Sequence, residues 1–199
     1  MSQIKLKHSG GNSVIIAAPD SNPASDRTLK LPGDGDGTIL TTNSATGKIL
    51  QVVQTVKTDT FSTSSQSFTD ITGLSASITP SSASNKILVS YTLSFASSGF
   101  PMLKLLRDST DIFVGDTASN RVQCLFGGYT GGLHPGMVLP VSGNFLDSPS
   151  TTSSTTYKFQ TGIINTTGYN TYLNRSVSDT DHNYHARTAS SIVLQEVAA

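Results

Sequence analysis

Glutamate is all but missing from this chain: one residue, Glu196, stands among 199, and tryptophan does not occur at all. Charged residues make up 13%, about half the ~25% usual for a soluble globular protein. With so few polar helix formers, amphipathic helices have little to be built from. The single cysteine, Cys124, rules out an intrachain disulfide framework, and its apolar setting VQCLF predicts a buried, unreactive thiol. Thirteen basic residues balance thirteen acidic ones, so no charge field favours nucleic acid or an anionic membrane as a partner. No apolar run approaches the ~18 residues of a membrane span, and MSQIKLKHSGG opens without a hydrophobic export segment, so neither membrane insertion nor a cleaved signal is expected.

What the chain has in abundance is serine and threonine, 56 residues together, beside a hydrophobic fraction of 36%. Disordered low-complexity segments lack regular Val, Ile, Leu and Phe runs, and this sequence is full of them. Short apolar runs between clusters of Gly, Pro, Asn, Asp and Ser predict an all-β chain.

Residues 1–47 form a first unit. IKLK (Ile4 to Lys7), SVIIAA (Ser13 to Ala18), TLKL (Thr28 to Leu31) and TILT (Thr38 to Thr41) read as short strands. Gly10-Gly11-Asn12, Pro19 to Pro23 and Pro32 to Gly37 read as the turns between them. Runs this short bury too little surface to offset the ~1–2 kcal/mol per residue of backbone ordering. The unit is therefore expected to be an extended β arm shaped by another chain, anchored through Ile4, Leu6, Val14, Ile15, Ile16, Leu29, Leu31, Ile39 and Leu40.

Residues 48–199 repeat one theme. The run Ile49 to Val56 fits a strand or two helical turns, and its β-branched valines favour strand. SFTDI, LSASIT, KILVSYTLSF, MLKLL, DIFVG, RVQCLF, MVLPVSGNF, TYKFQTGI, TYLNRS and SIVLQEV follow as further strands. In KILVSYTLSF, Ile87, Val89, Tyr91, Leu93 and Phe95 alternate with a mostly polar set, as a strand with one buried face requires. Eight to ten such strands without a convincing helix predict a two-sheet sandwich closed as a jelly roll. Long loops are expected at 127–136 and 147–156, where binding surfaces on sandwiches tend to lie.

No motif supplies catalytic parts. PGDGDGT sets Asp34 and Asp36 among glycines but lacks the further ligands of a calcium loop, so it reads as a tight turn. ATGK fails as a phosphate loop because Thr42 stands where the first glycine belongs and Ile49 follows the lysine. GGYTGGLHPG has no lysine and no helix to open. There is no G-x-S-x-G elbow and no H-E-x-x-H, so no cofactor, metal or catalytic residue is assigned. The richest polar cluster is SDTDHNYHAR, which with the glycine-rich loop gives a candidate surface-binding set: Tyr129, His134, Asp179, Asp181, His182, Tyr184 and His185. Repeated about a symmetry axis, His182 and His185 have the chemistry to hold a divalent ion, although an ordinary solvated loop is the default reading.

The segment IKLKHSGGNSVIIAAPDSNPASDRTLKLPGDGDGTILTT resembles the repeated N-terminal element of tail-fibre and other structural proteins of marine and cyanobacterial bacteriophages. FTDITGLSASITPSSASNKILVSYTLSF is similar to the opening of their globular heads, and TYLNRSVSDTD through SSIVLQEV to their final strands. The resemblance implies a non-enzymatic virion protein: a homotrimer whose arm holds other virion proteins, capsid or tail, and whose head is similar to the trimeric jelly rolls of the tumour necrosis factor and C1q type. Host attachment through a cell-surface receptor or glycan is the implied role of the head. Two alternatives stand beside it, a capsid decoration protein and a monomeric carbohydrate-binding sandwich.

Overall fold

The computed structural model describes residues 3–7, 9–11, 13–17, 49–130, 133–164 and 167–199. Packing divides the chain into two units, Met1–Ser44 and Ala45–Ala199.

In the first unit, β1 (Gln3–Lys7) and β2 (Ser13–Ala17) pair antiparallel, with Ile4 opposite Ile16 and Leu6 opposite Val14. The turn between them contains Gly11 at φ 97°, a left-handed conformation that glycine adopts without a Cβ penalty. Each strand gives one edge to the other. A lone two-stranded ribbon is marginal in water, and among the described residues no further strand pairs with its outer edges. Leu29, Leu31, Ile39 and Leu40, the strands expected around them, and the Asp34/Asp36 turn lie outside the described residues.

The second unit is built from β3 (Ile49–Lys57), β4 (Phe61–Thr63), β5 (Thr69–Ile78), β6 (Lys86–Ser97), β7 (Pro101–Arg107), β8 (Thr110–Ile112), β9 (Phe126–Gly127), β10 (Leu139–Asp147), β11 (Thr155–Ile163), β12 (Thr171–Leu173) and β13 (Ser190–Val197). No helix occurs among the described residues. In one sheet the long strand β6 pairs with β10 on one side and on the other with β13 followed by β12, which in turn pair with β3 and β4. The other sheet runs β5, β11, β7 and then β8 with β9. Counted as rows in chain order, the sheets read 1-8-3-6 and 2-7-4-5, which is the strand order of a jelly roll.

Period-two alternation decides what lies between the sheets. Ile87, Val89, Leu93 and Phe95 of β6 and Ile192 and Leu194 of β13 face Leu74 and Ile78 of β5, Leu103 and Leu105 of β7, and Tyr157 and Phe159 of β11. Buried polar groups close the end where β6 begins. Glu196, 1% exposed, accepts hydrogen bonds from Gln51 Nε2 (2.6 Å), Asn85 Nδ2 (2.6 Å), Ser81 Oγ (2.7 Å) and the Ser81 amide (2.7 Å). At the same end, buried Asp147 accepts from Arg107 at 2.9 Å and from the Tyr157 hydroxyl at 2.6 Å.

The structure corrects the sequence reading in several places. SFTDI and LSASIT form one strand, β5, which bulges where Gly73 takes φ 77°. RVQCLF contributes only its last residue, Phe126, to the two-residue β9, and DIFVG stops at Ile112 because Phe113 turns to φ 53°. The expected 147–156 loop shrinks to 148–154, since Asp147 ends β10 and Thr155 starts β11. Cys124 is only half-buried, its Sγ 3.7 Å from Met102 Sδ, and burial pushes its thiol pKa up, which leaves little reactive thiolate.

Candidate functional site

Three connections meet at the end opposite Glu196: β6 to β7, β9 to β10, and β11 through β12 to β13. Backbone bonds stitch them together, from Thr130 N to the Gly99 carbonyl at 2.8 Å, from Ser98 N to the Asn170 carbonyl at 3.1 Å, and from Ser178 N to the Pro135 carbonyl at 2.9 Å. The two sequence stretches singled out as binding loops are therefore neighbours. A Cβ added to Gly136 would lie 3.1 Å from His134 Nδ1 and 3.5 Å from His185 Cδ2, so His134 and His185 flank one glycine.

The 178–187 loop is organised by its own side chains. Asp179 takes a hydrogen-bonded ion pair from Arg187 and a second contact from Arg175 at 3.1 Å. The Arg187 hydrogen bond holds its carboxyl below the usual range, so Asp179 is an anion already neutralised by its own loop. His185 Nδ1 lies 2.8 Å from Thr180 Oγ1, Tyr184 packs on His182 with centroids 3.8 Å apart, and Tyr184 meets His185 edge-on. A cleft of about 380 Å³ opens between Asp179, Thr180, Asp181, His182, His185 and Arg187. Among the described residues no group of three or more His, Cys, Asp or Glu is placed to hold a metal ion.

Tyr129 belongs elsewhere. It is 63% exposed and packs on Phe100 at 4.8 Å, and Phe100 in turn meets Tyr169 edge-on at 6.0 Å. Sequence reading missed Phe100 and Arg175. An aromatic between Gly99 and Pro101 was the available signal for the first; for Arg175, its stacking on the Tyr172 ring at 4.7 Å needed the fold.

A second surface is the outer face of the sheet that holds β3, β13, β6 and β10. Its positions on β3 are Leu50, Val52, Gln54 and Val56, and Val52 and Val56 are 56% and 53% exposed. Beside them β13 places Ser191, Val193 and Gln195. Then come Leu88, Ser90 and Thr92 of β6 and Leu146, Asn144 and Ser142 of β10, in matching register. None of these residues is charged. Charges stand at the ends, Lys86 opening β6 and Arg175 over Tyr172 of β12.

No family model and no curated protein matches the chain. Among solved structures, the chain is similar to "Structure of infectious bursal disease virus Gt strain", at 16% identity and a TM-score of 0.37, over 95% of this chain and 48% of that one. An infectious bursal disease virus VP2 subviral particle matches at 16% identity and a TM-score of 0.37, over 94% and 47%. The tripod from the baseplate of bacteriophage Tuc2009 matches at 10% identity and a TM-score of 0.23, over 94% and 84%. The chain spans about half the length of the first two, and overlap this loose assigns it no role.

Proposed function

We propose that this chain is a non-enzymatic structural protein of a bacteriophage particle, a homotrimeric head displayed on the virion and tied to capsid or tail by its N-terminal unit. The observation that carries the reading is the uncharged outer face of the β3, β13, β6 and β10 sheet. An exposed sheet face normally scatters Lys, Glu and Asp among its outward positions, and a contiguous uncharged face rimmed by polar groups marks an interaction surface. Four rows about 4.8 Å apart and roughly seven residues long give a projected face of roughly 450 Å². Covered by a neighbouring chain around a three-fold axis, it removes on the order of 900 Å² from water per contact, close to the ~1,000 Å² expected of a specific interface. The phage-like N-terminal phrase supplies the setting, and hairpin edges without a described partner strand suit strand addition to a partner. Attachment of the head to a host-surface receptor through the loop end fits its exposed aromatic and polar groups.

Sedimentation equilibrium tests the assembly. Wild-type chain is expected at three times its monomer mass, and the pair Val52→Lys with Val193→Lys at one mass with an unchanged circular dichroism spectrum. A monomeric wild type contradicts the reading. Cryo-microscopy of intact particles then locates the protein on capsid or tail.

A further inference from the structure

Along one long edge of the sandwich the two sheets are laced together. Thr55 Oγ1 donates to the Ser75 carbonyl at 2.8 Å and Gln51 Nε2 to the Thr79 carbonyl at 2.7 Å. At the opposite edge, between β10 and the segment carrying β8 and β9, a cleft of about 530 Å³ opens instead. That volume lies within the range of small-molecule sites. Leu125, Phe126 and Val141 form its buried or half-buried wall, and the edge of β10 from Ser142 to Asn144 runs along it.

Three features set this cleft apart from a packing gap. Phe113 borders it 46% exposed, at φ 53°, a left-handed backbone that a bulky residue keeps only when its surroundings hold it there. Its ring is stacked on Phe145 at 5.0 Å and 23°, which presents a fixed aromatic plane. Tyr91, 6% exposed, also lines the cleft, and its hydroxyl makes no hydrogen bond to any described residue. Gly143 faces Tyr91 across the β10 and β6 ladder, and a Cβ there would lie 2.6 Å from the Tyr91 hydroxyl. Glycine at 143 is what gives that hydroxyl its place against β10.

The lining restricts the occupant. It contains no charged residue, so neither an anionic nor a cationic ligand finds a counter-charge. Pro140, also in the lining, has no backbone N–H, so a strand added along β10 loses a ladder bond there. What matches is a neutral ring with an apolar face and hydroxyl groups at its edge. We propose that this cleft binds a neutral pyranose, stacked on Phe113 and hydrogen-bonded by the Tyr91 hydroxyl. The site lies within one chain and does not depend on the trimeric reading.

The test is saturation-transfer NMR with amide shift mapping on the intact chain, using the methyl glycosides of glucose, galactose and N-acetylglucosamine at millimolar concentration. Transfer to ring protons of at least one glycoside is expected, with shifts centred on Tyr91, Phe113 and Asn144. Phe113→Gly retains the fold because glycine takes that φ freely, and Tyr91→Phe retains the core ring; each is expected to weaken binding about tenfold or more. No transfer from any of the three glycosides, undiminished binding in Phe113→Gly, or shifts confined to the 178–187 loop overturns the proposal. The oligomeric state, read separately, is unaffected by any of these results.

Discussion

Glu196 shows how one residue type, absent elsewhere in the chain, is kept where its charge is fully enclosed. Burial alone raises a carboxyl pKa, but the hydrogen bonds from Asn85, Gln51 and Ser81 outweigh it and bring Glu196 from 4.5 down to about 2. Because the folded value is the lower one, its contribution is complete above 4.5 and disappears as pH falls toward 2, an effect of about 3 kcal/mol. Glu196→Gln keeps the shape but points an amide at four donors, so it is expected to cost about 2–3 kcal/mol near neutral pH. Thermal melts of both proteins across the acid range check this: the gap between them should close as pH falls from 4.5 toward 2.

Between elements, Asn174 plays the corresponding part at the other end. It follows β12 at φ 61° and is fully buried; its Nδ2 donates to the Lys57 carbonyl at 2.8 Å and the Asp59 carbonyl at 2.9 Å, and its Oδ1 accepts from Ser190 Oγ at 2.6 Å. The ends of β3 and β12 and the start of β13 thus share one side chain. Asn174→Ala loses those bonds and keeps the backbone strain, and is expected to cost about 3 kcal/mol; Asn174→Gly relieves the strain and falls between it and wild type, as urea unfolding would measure. In the sequence this asparagine is one of many in a polar stretch. Strand alternation in β6, β11 and β13 was legible because each carries five or more residues of a single period. β4 was not, and β8 and β9 were expected with the wrong bounds, since runs of two or three residues have no period and pair only because long neighbours offer them an edge.

At the scale of the whole molecule, the two units are expected to separate in function. Removing Met1–Ser44 should leave the thermal midpoint of the sandwich unchanged and abolish retention on phage particles in a co-sedimentation assay. Full-length chain should stay bound as ionic strength rises, because apolar anchors and backbone pairing are little screened by salt. Release at moderate salt contradicts that mode of attachment. Of the candidate site, the loop residues Asp179, Asp181, His182, Tyr184 and His185 were visible as a polar cluster, and His134 as part of a separate glycine-rich loop. The uncharged sheet face and the cleft were not, for both are assembled from strands far apart in the chain.

Composition and period by themselves determined that this chain is all-β, because too few helix formers remain and alternating residues can bury one face only as strands. They also marked the jelly-roll-like head. Which strands became neighbours, that β6 lies between β10 and β13, and that Gly143 meets Tyr91 were decided only by the tertiary structure. The reason is physical: alternation fixes which side of a strand is buried, whereas partner choice depends on how two whole sheets fit together across a shared core.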